Sequence, residues 1–325
     1  MTALLNVENL KTYFNTYRGV VKAVDGVSFH VDEQEIIAIV GESGCGKSVT
    51  QLSILKLIQS PPGKIMDGKV IFEGKNILEY PAKSPQMRDI RGGKIAIIFQ
   101  EPMTSLNPTL TIERQITEML ELHLKMSRTD ARQKAIELLD TVGISDSKNR
   151  LGDYPHQFSG GMRQRVMIAI AMSCNPKILI ADEPTTAIDV TTQAQLLELM
   201  QRVVRQFKTS LIIVTHNLGI VARYANRIYV MYAGRAVECG TAKNIFSHPH
   251  HPYTKGLLSC VPRLDEKQGR VLTPIIGMPP NLISLPPTCA FLPRCHYRSD
   301  VCSREPWPQM RKIGDDHYVS CFMDI

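Results

Sequence analysis

Residues Gly41-Glu42-Ser43-Gly44-Cys45-Gly46-Lys47-Ser48 constrain this chain more tightly than any other stretch, because they fit the pattern G-x-x-x-x-G-K-[ST] in full. An apolar run before them, Glu35–Val40, reads as a buried strand. The stretch after them reads as a helix running to about Ile58, stopped by Pro61, Pro62 and Gly63. A strand, a glycine-rich turn and a helix in that order point several backbone N–H groups and the positive end of a helix at one place, which suits phosphate oxygens. Lys47 then reaches the β- and γ-phosphates of ATP, and Ser48 offers an oxygen to Mg²⁺. The nucleotide contacts expected here run from Gly41 through Val49, with Cys45 a small spacer in the turn.

The rest of the chain alternates strand and helix. Lys94–Phe99, Lys177–Ala181 and Ser210–Thr215 read as buried strands separated by helical patterns, which predicts an α/β fold with a mostly parallel sheet covered on both faces. The strand Ile178–Ala181 runs into Asp182 and Glu183. An Asp at such a strand end can hold the Mg²⁺ shell, and the Glu beside it can polarise an attacking water. The plainer reading of an Asp-Glu pair is a solvated strand end. From about Pro108 to Val142 the pattern is helical. Ser127-Arg128-Thr129-Asp130 has capping-box spacing, Ala135, Leu138, Leu139 and Val142 share a face, and Gly143 suits a C-terminal cap. Thr191 is placed to cap a helix whose stripe is Leu196, Met200, Val203, Val204 and Phe207.

Composition narrows the function. No stretch approaches the about 18 apolar residues of a spanning helix. With Glu8 close to the start and no apolar leader segment, no signal peptide is expected. The expected location is therefore the cytoplasm, peripheral on the inner face of the cell membrane if partner chains hold it there. The net charge of +7 is spread over scattered Lys and Arg with a single Trp, so no nucleic-acid partner is expected.

Phe158-Ser159-Gly160-Gly161-Met162, standing between the phosphate loop and the Asp182-Glu183 pair, resembles the L-S-G-G-Q signature of ABC transporter ATPases. The resemblance covers residues 1 to about 245. It implies a RecA-like P-loop NTPase core with an N-terminal antiparallel β subdomain, a helical subdomain over about 101–160, and an irregular extension over 246–325. It also implies a head-to-tail dimer with ATP sandwiched between subunits, so that Ser159, Gly160, Gly161 and Met162 serve the partner's nucleotide. Gln100 matches the family's Q-loop glutamine, touching Mg²⁺ or the water, and Mg²⁺ is then held through Ser48, Gln100 and Asp182. Glu183 takes the role of general base, His216 that of the switch histidine, and Asp189 that of the D-loop aspartate. Phe14 matches the aromatic that stacks on adenine, with Tyr13 and Tyr17 as competitors. Phe158 stands where the family has Leu, Met162 where it has Gln, and Asn217 where it usually has Asp.

The tail narrows the class. His251-Pro252-Tyr253-Thr254 with Leu257-Leu258, and Pro102-Met103-Thr104-Ser105-Leu106-Asn107-Pro108, resemble the ATPases of oligopeptide and dipeptide importers. That resemblance implies a second ABC ATPase subunit, copy or relative, two transmembrane permease subunits and an extracytoplasmic peptide-binding protein. Nickel and glutathione importers share the pattern. A soluble ABC ATPase acting on nucleic acid is a distant alternative, because such proteins carry two cassettes or a long coiled-coil insert. Finally, Cys289, Cys295, Cys302 and Cys321 crowd a proline-rich tail. Their gaps exceed the paired C-x2–4-C of structural Zn²⁺, and members of the family with such a tail resemble carriers of a [4Fe–4S] cluster. Zn²⁺ and four unliganded thiols remain the other readings.

Overall fold

Every side chain of the pentapeptide Ile36–Val40 is buried, as an unalternating run of aliphatics requires of a strand covered on both faces. Burying each of its Ile and Val side chains contributes roughly 1.5–3 kcal/mol. The computed structural model describes residues 3–100, 105–184, 190–260 and 274–324. Among these, in chain order, the strands are β1 (Leu5–Thr16), β2 (Gly19–Val31), β3 (Ile36–Val40), β4 (Gly63–Phe72), β5 (Lys75–Asn76), β6 (Ile95–Ile98), β7 (Ile178–Asp182), β8 (Ser210–Thr215), β9 (Arg227–Tyr232), β10 (Arg235–Thr241), β11 (Arg311–Gly314) and β12 (His317–Val319). Two compact units emerge: Met1–Asp32 with Ile36–Glu79 and Ile213–Ile325, and Glu33–Glu35 with Tyr80–Ile212.

In the first unit, β2, β1, β4 and β5 form an antiparallel sheet. Leu5, Val7 and Leu10 of β1 are fully buried. The Thr12 hydroxyl meets that of Ser53 at 2.7 Å, which pins helix Lys47–Ile54 against β1. That helix stops at Ile54, short of the prolines. Lys56 takes a left-handed φ of 50° and the Leu57 N–H closes on the Leu52 carbonyl at 2.8 Å, so the chain turns out before proline would force it to.

A second set of strands in this unit joins β3 to β9 in parallel, and β9, β10, β12 and β11 antiparallel in that order. The extension, expected to be irregular, therefore supplies two strands: Val319 and Tyr318 of β12 pair with Glu238 and Cys239 of β10. The edge of β10 offers unpaired backbone groups, and a segment too small for its own core gains a partner there. Trp307 is buried, its indole N–H donating to the Ser320 hydroxyl at 3.1 Å, with the Arg235 guanidinium 4.7 Å above its ring.

In the second unit, β6 and β7 pair in parallel. The predicted helical stretch is two helices, Ile112–Leu124 and Arg128–Thr141. They part at Lys125, whose φ is 56°, because Ser127 caps the second helix: its hydroxyl accepts the Asp130 N–H at 3.2 Å. Ala135, Leu138, Leu139 and Val142 are buried, and Gly143 closes the end at a φ of 76°. Helix Val190–Gln206 starts just before the expected cap at Thr191 and buries Leu196, Met200, Val203 and Val204. Among the described residues no helix is long and apolar enough to cross a membrane.

Candidate functional site

The phosphate loop is built by backbone crowding. A Cβ on Gly46, whose φ is 103°, would lie 2.1 Å from the Ala23 carbonyl oxygen, and one on Gly41 would lie 2.3 Å from that of Met231. Only glycine fits either place. The Gly234 N–H donates to the Cys45 carbonyl at 2.9 Å, and the Asp25 N–H to the Gly234 carbonyl at 2.8 Å. Lys47 is buried, its ammonium donating to the Gly41 and Glu42 carbonyls at 2.8 and 3.0 Å. Burial pushes the Cys45 thiol upward despite the neighbouring lysine, which fits a spacer and not a reactive thiolate. Ser48 and Val49 occupy the first turn of helix Lys47–Ile54.

The aromatics expected near adenine separate clearly. The Tyr13 hydroxyl donates to Asp25 at 2.6 Å, and Asp25 also receives Arg235 at 2.7 Å. Burial, then the Asp25 contact, raises the Tyr13 phenol to about 12. Through Asp25 and Gly234, Tyr13 is tied to the phosphate loop. Phe14 packs instead beside Gly63, where a Cβ would meet its ring at 2.8 Å and Ile58 at 2.4 Å. Tyr17 is 90 % exposed at the hairpin tip.

In the second unit β7 delivers Asp182 and Glu183, 5 % and 8 % exposed. The Gln100 side-chain amide, just past β6, donates to Glu183 Oε2 at 2.8 Å. Glu183 has a left-handed φ of 47°, a conformation that costs a non-glycine residue about 1–2 kcal/mol and that clusters at functional sites. Ser159 caps helix Gly160–Met172, its hydroxyl accepting the Met162 N–H at 3.3 Å. Phe158 is buried below it, and the Arg163 side chain donates to the Phe158 carbonyl at 2.9 Å. Gly160 has nothing within 4 Å of where a Cβ would stand. The helix N-terminus is thus rigidly mounted and open outward, the form an anion site takes.

His216 is an exposed residue immediately after β8. Asp189, and residues 102–104 of the importer-like segment, lie outside the described residues. A cavity of about 600 Å³ in the second unit is lined by Phe99, Met119, Leu122, Met167 and Ile170 with Arg88, Arg91 and His123 among its polar members.

Sequence reasoning missed what the tail does to the phosphate loop. The Glu42 N–H donates to the Tyr253 hydroxyl at 2.7 Å, so the tyrosine quoted only as a family marker is a structural contact. Arg294 pairs with the Glu42 carboxylate at 2.7 Å. No sequence signal singles out that arginine. Nor did the sequence mark Glu238, fully buried, which accepts the His250 and His251 N–H groups at 2.7 and 2.9 Å and meets His317 Nε2 at 2.8 Å.

Cys289, Cys295, Cys302 and Cys321 line one apolar pocket with His251, Pro252, Phe291 and Met323. Burial raises the thiols of Cys289, to about 11, and of Cys295 and Cys321. Among the described residues no group of three or more His, Cys, Asp or Glu side chains is placed to hold a metal ion.

The family model described as ABC transporter matches residues 24–186. The chain is also 53% identical over 323 residues, 99% of its own length and 95% of the relative's, to the dipeptide transport ATP-binding protein DppD of Bacillus subtilis. The chain belongs to the ABC transporter family. A further model, for the C-terminal region of oligopeptide/dipeptide transporters, matches residues 237–302 of this ABC chain. The oligopeptide transport ATP-binding protein OppD of Bacillus subtilis is 50% identical, over 99% of the chain and 89% of that protein. Among solved structures, the dimeric post-hydrolysis state of the ATP-binding cassette MJ0796 bound to ADP and Pi superposes with a TM-score of 0.64 at 26% identity, covering 73% of this chain and 98% of that one. CbiO1 from Clostridium perfringens, part of the ABC transporter complex cbiONQ, gives 0.65 at 26% identity, covering 76% and 92%. The fold is thus that of an ABC ATPase cassette, α/β with an antiparallel β subdomain, as the sequence led us to expect.

Proposed function

We propose that this ABC chain binds and hydrolyses ATP to power import of dipeptides or oligopeptides. What carries the peptide reading is its likeness to peptide-transport ATP-binding proteins over nearly its whole length, the tail included. The phosphate loop Gly41–Val49 takes the polyphosphate, with Lys47 neutralising its outer charges. Ser48, Asp182 and Gln100 would hold Mg²⁺, which would supply charge neutralisation at the phosphates. Glu183 accepts the proton of the attacking water. Gln100 holds that carboxylate, and His216 steadies the γ-phosphate. Tyr13, tied to the loop through Asp25, is better supported than Phe14 as the adenine platform.

Ser159, Gly160, Gly161 and Met162 act on the nucleotide of a second ATPase subunit, with Asp189 at the same interface. Two permease subunits hold the pair at the inner face of the membrane, and the apolar cavity with its arginine rim suits an amphipathic helix of such a subunit. An extracytoplasmic peptide-binding protein delivers the cargo. Cassette boundaries at 245/246, with a helical insert over about 101–160, fit this division of labour. Co-expression with candidate permeases and assay of peptide-stimulated ATP hydrolysis in vesicles tests the reading; robust hydrolysis that no peptide stimulates would count against it.

We also propose that the four-thiol pocket holds a [4Fe–4S] cluster on Cys289, Cys295, Cys302 and Cys321. The reading rests on the four thiols lining one apolar pocket and on their gaps, longer than those of paired zinc ligands. The cluster's chemistry would be to bind the thiolates and staple the tail. Anaerobic purification should yield brown protein with about four irons and four sulfides per chain; colourless protein with one zinc would replace the cluster by a plain staple.

A further inference from the structure

The tail reaches the phosphate loop through one buried cation. Arg294, in the turn Leu292–Arg294, has a side chain only 5% exposed. Its two terminal nitrogens grip both oxygens of Glu42, at 2.7 and 2.8 Å. The same guanidinium donates to the Ile276 carbonyl at 3.3 Å and reaches the Tyr232 hydroxyl at 3.4 Å. A two-pronged arginine–carboxylate pair in a desolvated place is strong and directional. Breaking one side leaves an uncompensated buried charge.

Glu42 is held at two further points. Its N–H is taken by Tyr253, and its carbonyl accepts the Lys47 ammonium at 3.0 Å. Fixing the Glu42 side chain therefore fixes the carbonyl on which the phosphate-binding lysine rests. It also cancels a carboxylate charge inside a loop that must accept a polyanion. Without the arginine, that charge would repel the incoming phosphates and would compete for Lys47.

We infer that Arg294 is a positioning residue for nucleotide binding: from the C-terminal extension it neutralises and immobilises Glu42, and so presets the loop and Lys47 for the polyphosphate. The inference rests on the reading of Gly41–Ser48 as the nucleotide site, and the experiment separates the two. Binding of the fluorescent analogue MANT-ATP with Mg²⁺ is titrated to full-length wild type, R294K, R294Q and the double variant E42Q/R294Q. Thermal melts establish that each is folded. If wild type bound no nucleotide, the functional reading itself would fail, and Arg294 would have nothing to position.

Given binding by wild type, R294Q should raise Kd about tenfold, the scale of a lost charge-assisted contact. The double variant, with no bare carboxylate, should recover most of that. R294K keeps the charge but loses the fork. It should weaken binding about threefold, and in the assembled transporter it should raise KM for ATP while kcat stays within about twofold. R294K decides the matter if R294Q does not fold. Unchanged affinity in a folded R294Q or R294K overturns the inference, as does a double variant bound as weakly as R294Q.

Discussion

Gln100 donates its side-chain amide to Glu183 across 2.8 Å, and so restrains the carboxylate that the proposed hydrolysis needs most. A residue at a φ of 47° keeps that conformation only when its surroundings hold it. The contact links the end of β6 to the end of β7 within one unit.

Removing the restraint is therefore expected to damage turnover more than binding. Q100A should lower kcat of the assembled transporter by about 10- to 100-fold, the range for a mispositioned general base. Its MANT-ATP affinity should stay within about threefold of wild type. A steady-state ATPase assay beside a binding titration measures both.

Gly160 separates an intermolecular role from a structural one. Open space surrounds the place of its Cβ, and an acidic residue at a helix N-terminus is stabilising by about 0.3–1 kcal/mol. G160D should therefore fold with an undiminished melting temperature and bind MANT-ATP normally as an isolated chain. Placed against the phosphates of a partner's nucleotide, the carboxylate should cut turnover of the assembled transporter by at least about tenfold. Full turnover in G160D would remove Ser159–Met162 from the catalytic account.

Much of this was legible in the chain because it depends on local chemistry. The Gly41–Ser48 turn, the acids after Ile178–Ala181, and the Ser127 cap each need particular residue types at fixed spacing, and each takes its expected place. What escaped was long-range. Arg294 meets Glu42 across 252 positions, and one Arg among the 38 basic residues carries no mark of such a partner. The tail read as irregular because its prolines and short strands show no period of their own; β12 is a strand because β10 lies on one side of it and β11 on the other. The split at Lys125 was marked only by the Ser127 capping box; the left-handed residue that ends the preceding helix is a lysine, which carries no such signal.

The tail's attachment should make stability depend on pH in the acid range. Burial opposes charge on Glu238, but contacts from His317, Thr254 and the His250 and His251 N–H groups outweigh it and hold the carboxyl below its ordinary range. A depressed acid contributes stability that is present above its unfolded value, about 4.3, and is lost as pH falls through the lower folded value. E238Q should lower stability at pH 7 by about 1–3 kcal/mol, as expected for a buried network deprived of its charged acceptor. It should also flatten the loss of Tm below about pH 4.3. Melts of wild type and E238Q from pH 7 to pH 3 compare the two slopes.

The most direct test of the central claim is Glu183→Gln in the assembled transporter, with ATP binding and ATP hydrolysis measured on the same preparation. An amide of equal size retains the space but cannot take the water's proton. MANT-ATP affinity should stay within about threefold of wild type while turnover falls by about 10²- to 10⁴-fold. Hydrolysis at the wild-type rate by a folded, nucleotide-binding Glu183→Gln transporter would contradict the role assigned to Glu183 and, with it, the proposed mechanism.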